Sequence, residues 1–297
     1  MSALDQASIH FSADSLRLLN VALALLMFSV SLFIERKQVT NLRKHPRALA
    51  VGLVSQWLFM PLVTVALILV FKPHPGLALG LLLVAACPGG NVSNFLSMLA
   101  RANVVLGISL VTISTLAAAI ATPGLFALTA ALVGSTVPVV KVDLLAVLWM
   151  VLGVLALPLT LGGLFKWRYP ELALHIRKPM RLAAGAVLLA FVVGGFASNL
   201  HLFTQYIGDL FGWVFLLNAL ALAGGYALGW AFRLPEADRR AIAIETGIHN
   251  SGLGLVLIFN FFDGSGPMAL IAAWWGVWHI IAGGIVAGVW SRIPPKS

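Results

Sequence analysis

The stretch Glu245-Thr246-Gly247-Ile248-His249-Asn250-Ser251-Gly252 sets an acid, an imidazole and a carboxamide inside an otherwise apolar span. A lipid-facing helix would not carry them. A charged group at the bilayer centre costs roughly 2.5 to 3.5 kcal/mol on insertion scales, so such residues face a bundle interior or a water-filled path. Two glycines and the Asn250-Ser251 pair in the same segment predict that the helix is interrupted here, and transporters build their sites at broken helices at membrane depth.

Around this stretch, the chain is apolar from end to end. Of 297 residues, 60% are hydrophobic and 10% charged, with a mean hydropathy of +0.99, and runs near twenty apolar residues recur throughout. This predicts an all-α polytopic membrane protein in a single transmembrane domain over residues 1–297. The first residues are polar and lack a basic segment followed by a small-residue cleavage site, so no cleavable signal is expected. The formal charge of +9 reports topology in such a chain, not nucleic-acid binding. Cys87 is the only cysteine, which excludes an intramolecular disulfide and a cysteine-based zinc site.

Nine spans are predicted at about 15–34, 47–71, 76–98, 104–131, 142–165, 182–199, 206–232, 239–262 and 267–290, with Pro61, Pro123 and Pro158 inside spans as kink sites. The loops test that count. All of the 19 Lys and Arg except Arg17, Lys72 and Lys141 fall on one side, among them Arg36, Lys37, Arg43, Lys44, Arg101, Arg177, Arg233 and Lys296. The basic side is cytoplasmic, which places the N-terminus outside and the C-terminus inside. Nine spans divide as four, one and four, and an odd linker helix inverts the second set relative to the first. Repeat one is then about 15–131, the linker about 142–165 and repeat two about 182–290. In each set the third span is the broken one: Cys87-Pro88-Gly89-Gly90-Asn91-Val92-Ser93-Asn94 mirrors the opening stretch.

Glu245 is the only acidic residue well inside a span, which marks it as functional by default, the alternative being a buried carboxyl that is protonated or paired for packing. His249 follows four residues later and shares its face if the turn stays helical; such an imidazole coordinates an ion, bonds substrate, carries a proton, or is a structural hydrogen-bonding group. Ser93 and Asn94 supply oxygen ligands of the kind a hard cation such as Na⁺ prefers, or else serve as interhelical hydrogen-bonding glue. Gln56 lies mid-span with no charged neighbour in sequence. The Trp274, Trp275, Trp278 and His279 cluster reads first as packing or an interfacial belt, and Asn218 and Asn260 are less informative.

Taken together, Cys87-Pro88-Gly89-Gly90 with Ser93-Asn94, then Leu99-Ala100-Arg101 and Asn103, and later Glu245, Gly247, Asn250-Ser251-Gly252-Leu253 and Trp278-His279, resemble the bile acid:sodium symporter family from about residue 25 to 290. Set against bacterial members of ten helices, the resemblance implies nine here, without the first, which is similar to the nine-helix animal members. The resemblance implies two inverted four-helix repeats, a core domain of spans two, three, four, seven, eight and nine with two broken helices crossing, and a panel domain that moves against it. It implies symport of an organic anion with sodium, the substrate sitting in the cleft between the domains. One family sodium site would use Ser93, Asn94 and Glu245 plus two hydroxyls on the next helix; here those positions are Gly107 and Val111, which carry no side-chain oxygen. The second would use Gln56, Glu245, the carbonyls of Thr246 and Ile248, and a glutamine that is His249 here.

The expected function is therefore a secondary transporter of an organic anion, weakened toward sodium by Gly107, Val111 and His249; a proton-coupled or sodium-independent carrier is the alternative. Asn91, Asn250, Ser251 and His279 are the candidates for contacting substrate. No cofactor is expected beyond sodium as coupling ion. The expected partners are a small organic anion and membrane lipid, with no nucleic acid and no obligate protein partner. A bacterial inner membrane is the expected location. A channel would want polar residues along several helices, and an intramembrane protease would need paired aspartates, a serine motif or an HExxH motif that the chain lacks.

Overall fold

A computed structural model describes residues 13–33, 46–90, 92–134, 152–198 and 200–295, with Leu145 and Trp149. Asn91, Arg36, Lys37, Arg43, Lys44, Lys141, Lys296 and the start of the predicted linker helix lie outside the described residues. The described chain is helical: α1 (Ala13–Phe33), α2 (Pro46–Phe71), α3 (Pro75–Ala86), α4 (Val92–Leu99), α5 (Val104–Leu132), α6 (Leu157–Arg168), α7 (Pro170–Ser198), α8 (Leu200–Ala231), α9 (Glu236–Gly247), α10 (Ser251–Phe261) and α11 (Gly266–Ser291). Pro46–Phe71, Leu210–Ala231 and Gly266–Ser291 are each long and apolar enough to cross a membrane. The third and eighth predicted spans are each two short helices, α3 with α4 and α9 with α10.

Two of the intraspan prolines act by widening the helix upstream. Pro61 cannot donate to the carbonyl of Trp57, and that carbonyl lies in a π turn over Ser55–Phe59, closed by the Met60 N–H on Ser55 O. Pro158 likewise follows a π turn over Leu152–Ala156. Pro123 has no such relief: Val104–Ala118 and Ile120–Leu132 meet at 75°, at the position whose carbonyl the proline ring crowds.

The sixth predicted span lies within a longer helix. Its helix begins at Pro170, not near residue 182, and runs through the basic segment expected as a loop. The guanidinium groups of Arg177 and Arg181 stand 4.9 and 4.5 Å from the Phe33 ring centroid. They lie over the end of α1, so this basic run is part of a helix packed on α1.

Helix α1 packs chiefly on α6 and α7. That group meets the rest through α1 on α10, the turn before α6 on α5, and α7 on α8. Elsewhere α8 lies along α9, and α3, α8 and α10 each pack on α11. The α8–α9 contact is close because Gly225 and Gly229, four residues apart, face α9: a Cβ on Gly225 would lie 2.9 Å from Ala243 Cα, and one on Gly229 3.1 Å from Arg239 Cα. This holds the last turns of α9, and Glu245 with them, against the bundle.

Candidate functional site

The two breaks meet. Gly89 and His249 form an isolated antiparallel bridge, with the Gly90 N–H donating to Ile248 O at 3.0 Å and the Asn250 N–H to Pro88 O at 2.8 Å. Backbone groups released by broken helices must be satisfied inside the protein, and here each break supplies partners for the other. Side chains complete the set. The Asn218 carboxamide donates to Gly247 O at 2.7 Å, and Gln56 Nε2 donates to Glu245 O at 3.2 Å. Asn250 caps α10 by accepting from the Leu253 N–H at 3.1 Å, as Asn103 caps α5 from Leu106 N.

His249 is 1% exposed and belongs to this network. Its Nδ1 is 2.8 Å from Val84 O and its Nε2 3.0 Å from Thr246 O. A neutral ring has one N–H and serves one of these acceptors; an imidazolium serves both. The Ile248 carbonyl already accepts from the Gly90 N–H, and the Thr246 carbonyl faces His249 Nε2.

Glu245 is a different case. It is 0% exposed, and neither carboxylate oxygen reaches a hydrogen-bond donor at bonding geometry. Ser93 stands beside it, but its hydroxyl donates to Gly90 O at 2.7 Å. Around the carboxylate, Gln56 Oε1, Asn94 Oδ1 and Ser97 Oγ are buried and also lack partners. A Cβ on Gly107 would lie 3.2 Å from Glu245 Oε1, 3.4 Å from Ser97 Oγ and 3.8 Å from Asn94 Oδ1. A Cβ on Gly89 would lie 2.9 Å from Glu245 Oε2 and 3.5 Å from Gln56 Nε2. Buried polar atoms without partners are rare, and several facing one carboxylate make a set of hard oxygen donors suited to a cation. Among the described residues no three His, Cys, Asp or Glu side chains converge, and Glu245 is the acidic member of this set of oxygens.

The π turn of α2 explains how Gln56 arrives there. It brings Ser55 and Gln56 to α9, with Ser55 Oγ 2.7 Å from Thr246 Oγ1, while Thr246 Oγ1 also donates to Ile242 O. The remaining substrate candidates scatter. Ser251 lies against Gly276, and His279, 4% exposed, has an unpartnered Nδ1 beside Trp275. Sequence reasoning passed over Ser97, Ser55 and the role of Asn218. For Ser97 a signal was present: it follows Ser93 by four and Asn94 by three residues, one face of a helix.

The sequence profile described as the sodium bile acid symporter family matches residues 20–206. The chain belongs to the sodium bile acid symporter family. Over 276 residues, 92% of this chain and 83% of the relative, it is 30% identical to a Bacillus subtilis protein named as an uncharacterized sodium-dependent transporter. It is 30% identical over 283 residues, 93% of this chain and 67% of the relative, to an Arabidopsis thaliana chloroplastic protein named as a probable sodium/metabolite cotransporter. The human ileal sodium/bile acid cotransporter is 30% identical over 242 residues, 79% of this chain and 67% of its own. As a sodium bile acid symporter family member the chain is an integral membrane transporter of a small solute and not an enzyme.

Proposed function

We propose that the chain is a secondary symporter that carries an organic anion with sodium by alternating access. The observation that supports this most directly is the Glu245 carboxylate, fully buried and facing buried oxygens that have no partners. An isolated buried charge is costly and persists where something compensates it. Sodium at Glu245, with Ser93, Asn94 and Gln56 around it and the second lone pairs of Thr246 O and Ile248 O within the same crossover, would cancel that charge. Only then would an anion approach. In a low-dielectric site the uncancelled carboxylate would repel it by several kcal/mol at about 4 Å and an effective dielectric near 20, and this repulsion is the coupling. The N-termini of α4 and α10 direct their positive dipole ends toward the crossover. Asn250, Ser251, His279 and, by sequence, Asn91 are the side chains we assign to the anion.

The division we propose is a panel of α1, α6 and α7 moving against a core of the remaining helices. It follows repeats at about 15–131 and 182–290 joined by a linker at about 142–165. The N-terminus lies outside and the C-terminus in the cytoplasm of a bacterial inner membrane, on the bias of Lys and Arg.

The test is uptake of a panel of organic anions into proteoliposomes at clamped membrane potential. Uptake that rises with an inward sodium gradient and is lost in Glu245→Gln is the expected result. Uptake indifferent to sodium and pH overturns the reading. A second reading, coupling to protons, is favoured by the two acceptors on the His249 ring; sodium-independent uptake driven by a pH gradient and lost in His249→Gln would select it.

A further inference from the structure

Hydroxyl groups in these helices have a common habit. Ser109 donates to Val105 O, Thr112 to Ile108 O, Thr64 to Met60 O, and Ser114 to Val111 O. Such bonds to the preceding turn satisfy a serine or threonine where water is absent. Ser97 departs from the habit. It is 0% exposed in the second turn of α4, and its Oγ has no partner. It lies instead beside Gly107 of α5, which carries no side chain, with Glu245 Oε1 and Asn94 Oδ1 on the other sides of the same space.

We propose that Ser97 is a cation ligand, and that with Asn94 and Glu245 it forms a sodium site built on α4 and α9 alone. The proposal rests on the sodium-symport reading and assigns to it a residue and a selectivity. The two α5 positions facing this region, Gly107 and Val111, offer a hydrogen atom and a methyl group. Val111 Cγ2 would stand 3.6 Å from a Cβ on Gly89, so it contributes apolar wall and no ligand. The hydroxyl comes from α4, one turn beyond Ser93, whose own hydroxyl proton is committed to Gly90 O. Glycine at 107 is part of the same arrangement. A methyl group there would press on the carboxylate at 3.2 Å and occupy the point the three oxygens surround. One carboxylate and neutral oxygens suit a monovalent hard cation; calcium sites recruit more carboxylates and more oxygen ligands.

Thermal unfolding of the purified full-length protein in NaCl against KCl at equal ionic strength reads this without transport. A ligand bound to the folded state raises stability by mass action. Wild type is expected to gain Tm with sodium in a saturable way. Ser97→Ala is expected to shift the half-saturating sodium concentration upward by at least about tenfold while its Tm in KCl stays near wild type, and Ser97→Thr, which keeps the hydroxyl, to titrate like wild type. Gly107→Ala is expected to abolish the sodium response. Ser97→Ala titrating like wild type overturns the assignment and leaves sodium symport intact. A wild type that ignores sodium overturns both.

Discussion

Asn20 and Asn260 exchange carboxamide hydrogen bonds, Asn20 Nδ2 on Asn260 Oδ1 at 3.3 Å and Asn260 Nδ2 on Asn20 Oδ1 at 3.2 Å. Asn20 is on α1 and Asn260 on α10, so the pair ties the two groups of helices that the proposed motion separates. In a Cys87→Ala background, cysteines at 20 and 260 bridged by a short bismaleimide should reduce transport more than tenfold. The same protein unbridged should transport, and sodium-dependent stabilisation should survive bridging. Undiminished transport by the bridged protein would mean that α1 and α10 do not part.

Arg240 is 2% exposed and holds three chain segments at once. It donates to Ala100 O, Trp290 O and Ile293 O at 3.0, 3.2 and 2.9 Å, and to Glu236 Oε1 at 3.0 Å. Its guanidinium carbon is 5.5 Å from the Trp290 ring centroid. Removing one partner of a buried charged network costs about 3 to 5 kcal/mol. Arg240→Met should lower Tm and expression most; Arg240→Lys should fall between, since an ammonium cannot reproduce the planar fork. Thermal unfolding in detergent ranks the three.

Glu236 begins α9 and accepts from Tyr226 Oη at 2.7 Å. Burial works to raise its carboxyl, but the Tyr226 hydroxyl and the Arg240 and Arg239 cations outweigh that and hold it below its ordinary value. A depressed folded-state pKa contributes stability that is present above the unfolded value, about 4.3, and is lost as pH falls through the folded one. The Tm advantage of wild type over Glu236→Gln should therefore stand at pH 7 and shrink below about pH 4. A gap unchanged down to pH 3 would remove the carboxylate from this account.

Gly89→Ala tests the crossover itself. The added methyl would lie 2.9 Å from Glu245 Oε2 and 3.5 Å from Gln56 Nε2. Overpacking of this kind costs about 1 to 3 kcal/mol, but the larger effect should fall on function, because the displaced group is the carboxylate. Sodium affinity should drop at least tenfold where Tm in KCl drops by only a few degrees. Equal losses in both would make Gly89 a packing residue.

Much of this was legible in the sequence because the membrane simplifies the code. Long apolar runs give the spans, and a Pro-Gly-Gly or Gly-x-x-Asn-Ser interruption inside one has few uses other than a break. Glu245 declared itself by being acidic at depth. Ser97 did not, since a serine in a helix normally bonds the turn before it and reads as filler; that it fails to do so is a fact of rotamer and neighbours. His249 was read as an ion ligand, a substrate contact, a proton carrier or a structural imidazole; its contact with Val84 O is set by where α3 ends against α9, a tertiary relationship no local pattern carries. The basic run at Arg177, Lys178 and Arg181 read as a loop because charge marks the membrane edge, and nothing in it announces Phe33 as the surface it covers.

The antiparallel bridge at Gly89 and His249 also imposes an order on biosynthesis. Pro88 O waits for the Asn250 N–H and the Gly90 N–H for Ile248 O, while Val84 O, already bonded by the Cys87 N–H, gains the His249 ring. Those partners leave the ribosome some 160 residues later, so the first half of the chain enters the bilayer with open backbone groups that lipid cannot serve. A nascent chain halted before Ile248 would be held by the insertion machinery or by chaperones and recognised as incomplete, and the moment the second break docks on the first is when the protein becomes safe to release.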